Sequence, residues 1–156
     1  MFRNYEINEA SGLAASINNP NHFWTHNDSG DRARIFLIDS LGQFVAEVNL
    51  LNIVHHDWED IAVGPGPILG LNYIYVGEIG DNFERRTYKN IYRFVEPFIN
   101  DCIEVRIDQI DTITFRSSDG IKDAETLMID PPTRDLYVLS KHPVGVYRVP
   151  FPQALK

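Results

Sequence analysis

The chain has 156 residues, 44% of them hydrophobic and 23% charged, ordinary proportions for one folded domain with a real core. A formal net charge of −8 opposes any groove that tracks phosphates, since a nucleic-acid binder must supply Lys and Arg to displace counterions, and the basic residues are too scattered to favour an anionic membrane surface. No apolar run approaches the roughly 18 residues that a membrane span needs, and Met1 to Tyr5 lacks the apolar core of a signal peptide, so the expectation is either a cytoplasmic protein or a mature or shortened form.

Taken in order, the elements read as strands. The first run, Ser11–Ser16, leads through the turn Asn18-Asn19-Pro20-Asn21 into Phe23–Thr25. Arg34–Ile38 and Phe44–Val48 follow. A second series opens at Trp58–Val63, turns at Gly64-Pro65-Gly66-Pro67, and continues through Tyr73–Val76, Ile91–Val95 and a run from about Ile103 to Phe115. The third opens at Ala124–Ile129, turns at Asp130–Asp135, and ends with Leu136–Leu139 and Val146–Arg148. These runs are short, β-branched or aromatic, and punctuated by Gly, Pro, Asn or Asp, and no stretch carries a helical apolar period. The lone Cys102 cannot form an intramolecular disulfide and reads as a small buried residue of a strand.

The three series are copies of one unit. Leu13, Ile61 and Leu127 take one position, Trp24, Tyr75 and Tyr137 another, and Gly30-Asp31 matches Gly80-Asp81. Strand repeats of this size imply an all-β fold of β-propeller blades, here about residues 9–50, 57–116 and 123–152 of a single domain, the third lacking its fourth strand. Three blades are too few to close a ring of about four to eight. The expectation is that further blades, or association with another subunit, cover the open edge strands.

The strings Ser11-Gly12-Leu13-Ala14, Trp24-Thr25-His26-Asn27-Asp28-Ser29-Gly30, Asp57-Trp58-Glu59-Asp60-Ile61-Ala62, Tyr75-Val76-Gly77-Glu78-Ile79-Gly80-Asp81-Asn82 and Asp123-Ala124-Glu125-Thr126-Leu127 resemble a bacterial group of six-bladed, TolB-like propeller proteins of largely uncharacterised function. The resemblance implies a six-bladed ring, of which this chain holds about half, and an extracytoplasmic location. A looser likeness runs to phytase-like esterase propellers and calcium-dependent lactonase propellers, in which acidic and Asn residues ring a metal at the channel mouth.

Glu59 and Glu125 hold the same position in two copies, with Ser11 in the first, and this places both carboxylates near the axis on one face. With Asp60, and with Asp57 and Asp123 close by in sequence, they offer the oxygen ligands that Ca²⁺ takes in sixes to eights. The competing reading is that acids at strand starts accept hydrogen bonds from the neighbouring blade. Asn27 and Asp28, with Glu78, Asp81 and Asn82 in the matching loop, form a second oxygen-rich set suited to a ligand at the rim or to tight turns. His26 is the candidate general base or ligand. Ser29 close beside it does not make a triad, because no Gly-x-Ser-x-Gly elbow exists. Adjacent His55 and His56 point to opposite sides of an extended chain and cannot easily share an ion. Arg85, Arg86 and Lys89 read as the solvated tip of a long loop, and Trp24, Trp58, Tyr75 and Tyr137 as packing between blades. Three readings stay open: a module that binds a small molecule or protein at an acidic, Ca²⁺-holding channel face, a metal-dependent hydrolase of phosphoesters or esters, and a purely structural set of blades whose flat faces make protein contacts.

Overall fold

The computed structural model describes residues 6–100 and 103–156; Cys102 lies outside them. Twelve strands form three sheets, and no helix occurs among the described residues. The first sheet contains β1 (Ala10–Ala15), β2 (His22–Asn27), β3 (Arg34–Asp39) and β4 (Phe44–Leu50), an antiparallel meander. β5 (Asp60–Pro65), β6 (Asn72–Glu78) and β7 (Lys89–Val95) begin the second sheet in the same way. The third is β10 (Asp123–Ile129), β11 (Leu136–His142) and β12 (Gly145–Val149), with no fourth strand among the described residues.

The run read as one strand from Ile103 to Phe115 is two strands in different sheets. β8 (Glu104–Ile107) pairs in parallel with β4 and becomes the outer strand of the first sheet, whereas β9 (Asp111–Phe115) pairs antiparallel with β7 and completes the second. Val105 and Ile107 both pack against the core between the first two sheets, which holds β8 on the earlier sheet before the chain returns.

Period-two alternation puts opposite faces of each strand to different use. Ile74 and Val76 of β6 join Trp24, Ile35, Leu37, Ala46 and Val48 in a core between the first and second sheets, with Trp58 and Ile61. Tyr73 and Tyr75, on the other face of the same strand, join Ile91, Ile113, Ala124, Leu127, Leu136 and Val138 between the second and third. The second sheet is therefore covered on both faces. Inner strand β5 packs against both β1 and β10, so the three sheets converge along their first strands.

That convergence is pinned by polar contacts at both ends. Ser11 Oγ donates to the Glu59 carbonyl at 2.9 Å, and Asp60 Oδ2 accepts from Leu127 N–H at 2.8 Å. At the far end Glu96, wholly buried, accepts from Ser16 Oγ, the Ile17 and Asn18 amides and the Trp24 indole, at 2.6 to 3.1 Å. A buried carboxylate holding four donors of a neighbouring sheet is a strong clamp, because hydrogen bonds to a charged group are worth about twice neutral ones.

Candidate functional site: an acidic cluster where three sheets meet

The starts of β5 and β10 and the end of β2 lie at the same end of the three sheets. There Asp28, Asp57 and Glu59 bring carboxylate oxygens within 4.8 Å of one another, and Glu59, Asp123 and Glu125 do the same. Glu59 belongs to both groups. Asp57 and Glu59 alternate with Trp58, which is driven into the core, so the extended chain turns the two acids together toward the cluster. Asp123 and Glu125 are spaced likewise on β10.

Among the described residues, Arg86 and Lys141 are the cations ion-paired to these acids. Arg86 stands 3.6 Å from Asp57 on one side, and Lys141 stands 2.9 Å from Glu125 and 3.7 Å from Asp123 on the other. The carboxylate of Glu59, between them, makes no hydrogen bond or ion pair among the described residues. Burial, reinforced by the charges of Glu125, Asp28, Asp57 and Asp123, pushes its carboxyl up to about 8. Asp57 is raised for the same reason, burial first, against the opposing pull of Arg86. Gly80 makes this crowding possible. A Cβ there would collide with Glu59 Oε1 and stand 2.8 Å from Asp57 Oδ2.

The other candidate residues are engaged differently. Asp60 uses one carboxylate oxygen on Ile61 N–H and the other on Leu127 N–H, so it acts as the tie between neighbouring sheets. Asn27 is buried, donating to the Glu6 carbonyl and to Asp31 and accepting from Glu9 N–H. Glu78 accepts from the His56 and Asp57 amides and pairs with Arg86 at 2.6 Å, fixing the segment that presents Asp57. Asp81 accepts from the Arg85 and Arg86 amides and from Lys89. Asn82 is exposed. Arg86 and Lys89 are not the solvated loop tip that the sequence suggests. Lys89 is buried against Asp81, and Arg86 folds back onto Glu78 and the Gly80 carbonyl.

His26 is sealed from solvent. Its Nδ1–H donates to the Asn27 carbonyl at 2.7 Å, and the Asp60 backbone approaches Nε2 without hydrogen-bond geometry. Burial lowers its pKa to about 4, so the ring is neutral at ordinary pH. It meets Trp58 edge-on at 5.8 Å while His55 stacks on the same indole at 4.3 Å. His55 also donates from Nδ1 to the Arg32 carbonyl, and His56 sits beside Glu78, so the two adjacent histidines serve different neighbours. Gly12, at φ +64°, leaves room for His26, because a Cβ would lie 2.8 Å from Nε2. Trp24, Trp58 and Tyr75 are packing residues between sheets, as the repeat suggests.

No protein-family model matches the chain, and no curated protein matches it. Among the described residues no helix is long and apolar enough to cross a membrane.

Proposed function

We propose that the three sheets are consecutive blades of a six-bladed β-propeller and that the acidic cluster at their convergence binds a divalent cation, Ca²⁺ foremost. The observation that carries this reading is Glu59, shared by two carboxylate groups, its carboxylate without an ion pair among the described residues while four other acids crowd it. Like charges held this close raise the free energy of the ionised site, and a doubly charged ion relieves that cost. The donors are all carboxylate oxygens, which suits a hard cation of high coordination number. The nearby imidazoles are turned to indole and backbone, which gives no support to a softer metal. An ion held by these carboxylates would supply an electrophilic anchor for an oxygen-bearing small molecule or an acidic group of a partner protein. No catalytic step is included, because His26 has no access to a substrate arriving from solvent.

Thermal unfolding with added Ca²⁺ tests the proposal. Ligand at a hundredfold excess over Kd stabilises by about 2.7 kcal/mol. The melting temperature of the wild type is expected to rise and that of Glu59→Gln to stay in place; an unmoved wild type would remove the cation.

A further inference from the structure

Among the described residues, one guanidinium of this acidic chain has no partner, and it stands where two clefts meet. Every other described arginine holds a carboxylate or rests over an aromatic ring. Arg116 makes no ion pair, hydrogen bond or ring contact among the described residues. It follows β9 and opens the turn Arg116-Ser117-Ser118-Asp119-Gly120 on the way to β10. There it lines a cleft of about 540 Å³ with Thr87, Ser117, Ser118 and Gly120. With Ser118 it also lines a second cleft of about 360 Å³, whose walls include Phe115, Val149 and Pro150.

The first cleft is a set of donors. The hydroxyls of Thr87, Ser117 and Ser118 have no hydrogen-bond partner among the described residues, and no carboxylate competes for Arg116. Asp119, in the same turn, is already engaged: it accepts from the Tyr147 hydroxyl at 3.2 Å and pairs with buried Lys122 at 3.5 Å. Gly120, at φ +111°, adds no side chain to the cleft. A guanidinium presents its N–H groups as a rigid fork that matches two oxygens of a phosphate, and hydroxyls can donate to the others. The second cleft starts at the same arginine and is walled differently. Phe115 and Val149 form the margin of the core between the second and third sheets, and the other cation there, Arg148, is held by Asp135 at 2.6 Å.

We infer that Arg116 anchors a small phosphate monoester, its phosphate among Thr87, Ser117 and Ser118 and its organic part along Phe115, Val149 and Pro150. The two clefts share the guanidinium, so a ligand with a charged head and an apolar body uses both, whereas a bare anion uses only the first. The arginines paired with carboxylates elsewhere in the chain would have to release an acid to take the same group; Arg116 releases only water. The site shares no residue with the carboxylate cluster of Asp28, Asp57, Glu59, Asp123 and Glu125.

Calorimetry with inorganic phosphate and with phenyl phosphate tests the inference, in chelator so that the result does not depend on cation binding. The wild type is expected to bind both saturably, phenyl phosphate the more tightly. Arg116→Gln, at an exposed position and expected to match the wild type by circular dichroism, is expected to weaken both at least about tenfold. Val149→Thr is expected to narrow the advantage of phenyl phosphate and to leave inorganic phosphate in place. Arg85→Gln, an exposed arginine of the β6–β7 loop, is expected to change neither. The inference is overturned by a wild type that binds neither probe, by an Arg116→Gln protein that binds as the wild type does, or by an equal loss in Arg85→Gln. Phenyl phosphate bound no more tightly than inorganic phosphate would overturn the assignment of a monoester.

Discussion

Glu59 concentrates the chemistry of the site in one carboxyl. Its pKa of about 8 in the fold lies above its ordinary 4.5, so the folded state holds the proton more tightly than the unfolded chain. Its contribution to stability is therefore fully present below 4.5 and is lost as pH rises through 8. In chelator, the urea midpoint of the wild type is expected to fall across that window relative to Glu59→Gln; parallel profiles would contradict the assignment. Under the proposed cation binding, Ca²⁺ would compete with the same proton, and its affinity is expected to rise over the same range, as calorimetry at two pH values would read. His26 acts with the opposite sign. Its pKa is depressed by burial from 6.5 to about 4, so its contribution is present above 6.5 and lost as pH falls through 4. Gly80→Ala tests the crowding without touching an acid. The added methyl displaces the Glu59 and Asp57 carboxylates, and Ca²⁺ affinity is expected to drop at least tenfold, about 1.4 kcal/mol, as read by calorimetry; unchanged affinity would place the ion elsewhere.

At the scale of elements, the sheets are joined by acids as well as by apolar packing. Asp60→Ala strands the Leu127 amide and is expected to cost about 1–3 kcal/mol in chemical denaturation while leaving Ca²⁺ affinity intact. Glu96→Ala strands four donors of the first sheet and is expected to cost more than about 3 kcal/mol. Equal, small losses in both variants would mean that apolar contacts alone set the stacking. Most of this architecture is legible in the sequence, because strand alternation and turn residues are local: the three hairpin series and the packing role of Trp24, Trp58 and Tyr75 follow from them. The destination of β8 is not, since nothing in Glu104–Ile107 records that its partner is β4, more than fifty residues earlier. Glu96 carries no local signal of its role, since its burial exists only once the Ser16–Asn18 turn, about eighty residues away, docks on it. Within the site, the period of two could have separated Asp57 and Glu59 from Asp60: the first two share a side of the strand, and the third points to the next sheet. Equivalence among copies pairs Glu59 with Glu125 and Asp57 with Asp123, but it carries no sign that Asp123 also accepts the Asp81 amide.

For the whole molecule, three sheets bring five carboxylates to one end in a chain of net charge −8, with Arg86 and Lys141 the cations ion-paired to them among the described residues. A stack of sheets that needed only stability would have little reason to gather them there, since unpaired like charges oppose folding. Isothermal calorimetry of Ca²⁺ into wild type, Glu59→Gln and the exposed control Asn82→Ala tests the central claim most directly. Saturable binding by the wild type and the control, lost in Glu59→Gln, is the predicted result. Absence of binding by the wild type, or equal binding by all three proteins, would contradict it.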